Sequence, residues 1–263
     1  MPALTINGAN IYYEIHGAGQ PLVLICGYTA DHLWWTPILN ELAKQFQVII
    51  FDNRGIGRTT DNGTTLSAEL LGQDVLELIH ILGLNKPHIL GHSMGGTIAQ
   101  YIAHAAPNTI GKLVLLATSA KWRYAMLYGL ASLSDMYAAN VDFDTIYAAE
   151  LAWVFGEKFL TDANNIASLK QIILENRYPQ SVENQRRQYR ILEKFDGRKY
   201  LNSIACASLV IFGEEDIISL PYESAYLATQ IPNAKLLGMP CGHAINMEMP
   251  RELTQCLIQF LRD

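Results

Sequence analysis

Five short runs of nearly uninterrupted apolar residues constrain the fold of this chain more than any other feature. They occupy residues 21–26, 47–51, 86–90, 112–117 and 208–212. A strand with one wet face alternates apolar and polar side chains, whereas a continuous apolar run belongs to a strand buried on both faces, as in a parallel sheet. Two further strand-like runs, 3–7 and 10–16, open the chain around a Gly8-Ala9 turn, with Tyr12, Tyr13 and Ile15 giving β bias. Helical patterns separate several of the runs. In residues 66–82, Leu70, Leu71, Val75, Leu78, Ile79 and Leu82 share one face, and Gly83 closes the segment. A last amphipathic helix starts near Pro250 and turns Leu253, Leu257, Phe260 and Leu261 inward.

Strands alternating with helices imply parallel pairing with helices on both faces. The alternation stops near Ser119 and resumes at Ala207, and the aromatic-rich segment between reads as helical. The expected architecture is therefore α/β, a mostly parallel central sheet of about eight strands flanked by helices. Residues 1–118 and 201–263 would form the core, and residues 119–200 an inserted helical cap.

With 263 residues, half hydrophobic and 17% charged, the chain can bury a large core. Nineteen basic residues against 25 acidic ones give a net charge of −6, which argues against a sequence-independent nucleic-acid binder, since that would need a basic face. Cys26, Cys206, Cys241 and Cys256 are widely spaced, so neither a zinc site nor a disulfide framework is supported and they read as small core residues. Residues 1–8 lack a signal-peptide pattern, and no apolar run is long enough to span a bilayer, so a cytoplasmic location is expected.

The chemistry concentrates in Gly91-His92-Ser93-Met94-Gly95-Gly96, between the buried run ending at Leu90 and a helical stretch, 97–105. The glycines allow a sharp turn in which Cβ atoms at either flank would meet neighbouring backbone. Such a turn lifts a serine hydroxyl above the carboxyl ends of the strands, at the amino terminus of a helix. A serine needs a base to act as nucleophile. Of seven histidines, His243 in Pro240-Cys241-Gly242-His243-Ala244 follows the last predicted strand and can reach Ser93 from the sheet edge. His92 reads as structural because neighbouring side chains on a sharp turn diverge, as do His16, His80, His88 and His104; His32 follows a strand where it could line a pocket. The supporting acid is expected after another central strand, and Asp216 follows the run 208–212 and Gly213; Glu214 and Glu215 are the competing choices. The order Ser, Asp, His fits this fold.

These residues resemble the α/β-hydrolase superfamily along nearly the whole chain. Its members commonly carry His-Gly after the first buried strand; here Cys26 stands in place of the histidine, before Gly27. The resemblance implies an oxyanion hole formed by the backbone N–H groups of Tyr28 and Met94. Residues 52–59, Asp-Asn-Arg-Gly-Ile-Gly-Arg-Thr, are similar to a structural turn of the family, with Arg54 anchoring backbone. Small esterases, enol-lactonases, carbon–carbon hydrolases and cofactor-free perhydrolases share the pattern. Dehalogenases and epoxide hydrolases use an aspartate nucleophile, a route that Ser93 excludes.

The position of the inserted segment matches the family's cap, whose Trp122, Tyr124, Trp153 and Phe155 are expected to line a groove for an apolar acyl substrate. Arg186, Arg187, Arg190 and Lys194 fall on one cap helix, either as a solvated face or as a docking surface for an acidic acyl carrier protein. The expected function is hydrolysis of a carboxylic ester or thioester through an acyl-Ser93 intermediate, with no cofactor and no metal. Carbon–carbon or enol-lactone hydrolysis by the same three residues, and a ligand-binding receptor on the same fold, are the alternatives.

Overall fold

The computed structural model describes residues 3–263. Strands β1 (Ala3–Ile6) and β2 (Ala9–His16) form the opening hairpin. Its turn is Asn7-Gly8, at φ 47° and 79°, rather than Gly8-Ala9; Ala9 is buried and pairs with Ile6. Two successive left-handed residues match the twist of a two-residue hairpin, and Asn-Gly adopts them most readily.

Next come β3 (Pro21–Ile25), α1 (Thr36–Ala43), β4 (Gln47–Phe51), the two-residue β5 (Thr60–Asp61), α2 (Ala68–Ile81), β6 (His88–His92), α3 (Met94–Ala105) and β7 (Leu113–Leu116). Five helices follow without a strand: α4 (Tyr124–Ala138), α5 (Phe143–Val154), α6 (Glu157–Leu160), α7 (Ala163–Leu174) and α8 (Val182–Lys194). The chain then returns as β8 (Ser208–Gly213), α9 (Pro221–Gln230), β9 (Ala234–Met239), α10 (Ile245–Glu248) and α11 (Pro250–Arg262).

The sheet order is β1-β2-β4-β3-β6-β7-β8-β9, with β5 paired to β2. Every contact from β4 through β9 along that path is parallel, and β2 runs antiparallel to both β1 and β4. The apolar runs are explained by two separate cores. Val23, Ile25, Ile49 and Ile89 pack towards α2 and α3, while Leu22, Leu24, Val48, Ile50 and Leu90 pack towards α1 and α11. Successive residues of a strand point to opposite faces, and here both faces are covered.

Two of the boundaries that differ from the sequence reading lie at the serine turn. Strand β6 continues to His92, pairing Gly91 with Leu115 and His92 with Leu116, and α3 begins at Met94 rather than at 97. Glycines read as breakers, yet here Gly91, Gly95 and Gly96 stay within regular structure because close packing requires their lack of side chains. All four cysteines are free; Cys26 and Cys241 are buried. Among the described residues no helix is long and apolar enough to cross a membrane.

Helix α8 is strapped to the core loops. Gln188 accepts from the Thr29 amide (3.2 Å) and donates to the Arg54 carbonyl (3.0 Å). Arg187 grips Asp61 with both terminal nitrogens, the shorter contact being 2.6 Å. Arg54 itself is buried; it pairs with Asp74 and donates to the Asn7 carbonyl (2.9 Å), tying α2 to the opening hairpin.

Candidate active site

The turn between β6 and α3 holds Ser93 at φ 53° and ψ −120°, a conformation that L-residues adopt at a cost of about 1–3 kcal/mol and that surrounding structure must enforce. That enforcement is visible. A Cβ on Gly91 would strike the Gly95 carbonyl, and one on Gly95 would strike the Ile25 carbonyl. The Ser93 amide donates to the Leu116 carbonyl (2.9 Å), and the Ser93 carbonyl accepts from Thr118 Oγ1 (2.7 Å) and the Gly96 amide (2.9 Å). Strand β3 therefore presses on the turn from one side and the segment after β7 braces it from another.

Asp216 sits three residues beyond β8 and is 1% exposed. Its Oδ1 accepts from the Ile218 and Ser219 amides at 2.8 and 3.0 Å. Its Oδ2 accepts from Ser219 Oγ at 2.7 Å and from His243 Nδ1 at 2.8 Å. Burial alone would raise this carboxyl; the adjacent His243, with the hydrogen bonds from His243 and Ser219, outweighs it and holds the group below its usual value. Glu214 and Glu215 are exposed, and Glu215 accepts from the Glu157 amide (2.7 Å), so of the three acids only Asp216 meets His243.

The hydrogen bond to Asp216 uses His243 Nδ1 and leaves Nε2 as the free ring nitrogen. The loop carrying His243 is pinned beside the serine turn by His92, whose Nε2 donates to the His243 carbonyl (3.1 Å) and whose ring lies 4.9 Å from the His243 ring. Desolvation, together with the positive charge His243 can carry, lowers His92 to about 3, so it stays neutral. His92 is thus a strut between the two loops, flanked on its other side by Trp34 at 5.0 Å. Ser93 and His243 are 7% and 5% exposed, screened from bulk water.

Gly27 completes the enclosure, since a Cβ there would stand 3.1 Å from both Ser93 Cβ and His92 Nδ1. The backbone of residues 27–28 therefore runs alongside the serine. The Tyr28 and Met94 amides donate to no other protein group among the described residues. Cys26, in place of the expected histidine, supports this loop differently: its thiol donates to the Asp31 carbonyl (3.0 Å) and its carbonyl accepts from Asn53 Nδ2 (3.3 Å). His32 is enclosed by the fold. It is buried, with Nδ1 against Asp52 Oδ1 at 2.8 Å.

The four aromatic residues expected over the groove separate into different roles. Trp122 is 4% exposed and packs into the main core, its indole donating to Thr97 Oγ1 (3.1 Å) on α3. Tyr124 is 74% exposed, at the start of α4. Trp153 lies on Gly129 of α4, and Phe155 stacks on Phe159 at 4.1 Å beside the His243 loop. The aromatic content of the segment signalled apolar packing but not direction, because α4 and α5 lack a single apolar face. Of the cap arginines, Arg187 is spent on Asp61 and Arg186 pairs with Asp135 (2.8 Å), leaving Arg190 and Lys194 exposed. Among the described residues no cluster of histidine, cysteine or carboxylate side chains could hold a metal.

Comparisons with known proteins agree with this fold. The family model described as "alpha/beta hydrolase fold" matches residues 20–250. The chain is 28% identical to the candidate carbamate hydrolase RutD of Azorhizobium caulinodans, over 99% of this chain and 98% of that protein. It is 26% identical to 3-oxoadipate enol-lactonase 1 of Acinetobacter baylyi, over 97% and 94% of the two chains. Among solved structures, a thermophilic esterase from Thermogutta terrifontis superposes with a TM-score of 0.85 at 25% identity, covering 99% of this chain and 97% of that one. With the family model spanning most of its length and the expected sheet, turn and flanking helices in place, this chain belongs to the α/β-hydrolase family and is an α/β-hydrolase.

Proposed function

We propose that the chain is a serine hydrolase that cleaves a carboxylic ester or thioester of a small acyl substrate. The observation that carries this reading is the buried Asp216–His243 hydrogen bond (2.8 Å), pinned through His92 beside the strained Ser93 turn. In this reading Ser93 Oγ attacks the acyl carbon as His243 Nε2 takes its proton. The tetrahedral oxyanion faces the Tyr28 and Met94 amides, at the positive end of the α3 dipole. Collapse breaks the acyl–oxygen or acyl–sulfur bond, and His243 returns the proton to the leaving group. Water, deprotonated by the same nitrogen, then attacks acyl-Ser93 and releases the carboxylic acid. Asp216 stabilises the imidazolium formed in each half of the cycle.

The similarity to an enol-lactonase supports a second reading within the same chemistry, in which the scissile ester is part of a ring. The test compares wild type and Ser93→Ala on p-nitrophenyl esters of graded acyl length and on enol-lactones. The reading expects a loss of about a hundred-thousandfold in the variant on whichever class wild type turns over. Parental rates in Ser93→Ala would reject it.

A further inference from the structure

The residue whose amide borders Ser93 has its side chain in a polar corner of the cap. Tyr28 OH lies 3.1 Å from Ser134 Oγ on α4. One turn further along α4, Tyr137 OH donates to Glu150 Oε1 on α5 at 3.0 Å. Ser134 and Tyr137 are three residues apart on α4 and so share a face, which sets the Tyr28–Ser134 and Tyr137–Glu150 pairs next to each other. The other end of α5 meets the His243 loop. The Val154 carbonyl accepts from the His243 amide (2.8 Å) and the Ala244 amide (3.2 Å), one helical turn from Glu150. Glu150 thus lies on α5 between the Tyr137 contact to α4 and the backbone contact to the His243 loop.

Its bonding is incomplete. Glu150 is partly buried, forms no ion pair, and accepts a single hydrogen bond within the protein among the described residues, which leaves Oε2 unused. Other carboxylates around the site are satisfied: Asp216 accepts four hydrogen bonds, and Glu248 accepts from the Gly156 and Gly242 amides. Oε2 keeps access to solvent while burial of the residue raises the Glu150 carboxyl above its usual value, and a partner that donates a hydrogen bond or a positive charge offsets that cost. We infer that Glu150, oriented by Tyr137, is a specificity-determining subsite that accepts a hydrogen bond from an ammonium or hydroxyl group on the substrate and rejects a carboxylate at that position. This rests on the proposed hydrolysis at Ser93 and narrows its substrate class, away from carboxylate-bearing acyl groups.

The test separates binding from turnover. Calorimetry on Ser93→Ala protein, at about pH 8 where carboxylates are ionised, measures the methyl esters of 6-ammoniohexanoic acid and of adipic acid (half-ester). The ammonium ester is expected to bind about tenfold or more tightly than the half-ester. Adding Glu150→Gln is expected to bring the ratio close to one. Adding Glu183→Gln, which removes an exposed carboxylate from α8, is expected to leave it intact. Equal affinity for the two esters, or a ratio that survives Glu150→Gln, would overturn the subsite. Wild-type turnover of the same esters is read separately. Charge-dependent binding without turnover would keep the subsite and remove the hydrolytic reading, and turnover without charge preference would do the reverse.

Discussion

The serine turn and cap helix α7 are both short segments, yet they are constrained in opposite ways. In α3, which the turn launches, nine residues are buried, from Met94 to Ala103; in α7 none is, and Ile172 and Leu174 project into solvent. Around Ser93, backbone presses on backbone and a single methyl group would collide. Along α7 only Ile166 and Leu169 touch a hydrophobic cluster, and only partly. The serine turn is therefore held by tightly interlocked elements of the sheet, whereas α7 belongs to a looser layer.

That contrast sets the order of the expected effects. Asp216→Asn should lower kcat about ten-thousandfold on every substrate, because the amide favours the wrong His243 tautomer and cannot balance the imidazolium; steady-state kinetics that show a change confined to KM would break the assignment. The same variant carries a pH signature. Because the Asp216 carboxyl is held below its unfolded value of 3.8, its stabilisation is complete above that value and is lost as pH falls through the depressed folded one. Wild-type Tm should therefore drop on acidification below about pH 4, and the Asp216→Asn profile should be flatter over that window.

Gly95→Ala should destabilise the fold by about 3 kcal/mol or more, since its Cβ points at the Ile25 carbonyl and neither backbone can retreat. Chemical denaturation checks this, and a loss below about 1 kcal/mol would mean the turn is softer than its contacts imply. Ile172→Lys on α7 should shift stability by no more than about 0.5 kcal/mol. A large loss there would show that the cap is held by contacts as demanding as those of the turn.

Legibility in the sequence follows the same division. The continuous apolar runs betrayed both-faces burial, so the parallel sheet was readable, and the strand–glycine–serine–glycine context pointed to Ser93 because steric exclusion leaves few residue types possible there. Asp216 was distinguishable from Glu214 and Glu215 only in part: its position after β8 was visible, but its burial and four hydrogen bonds arise from the fold of residues 217–219. The strut role of His92 was missed in detail, because it depends on contact with a loop 151 residues away. The cap was the least readable region. Aromatic residues there announced packing, but Trp122 turned into the core and Tyr124 turned outward, and the polar corner at Tyr28, Ser134, Tyr137 and Glu150 left no motif because its members come from three separate elements. Helical periodicity assigns a face only when apolar residues keep to one side, and in α4 and α5 they do not.

The most direct test of the central claim is covalent labelling with an alkyl fluorophosphonate, followed by peptide mapping with mass spectrometry. The account predicts one adduct per chain, on Ser93, with label lost in Ser93→Ala and slowed by several orders of magnitude in His243→Ala. Stoichiometric labelling at another residue, or a Ser93 that stays unmodified while the protein hydrolyses its substrate, would contradict it.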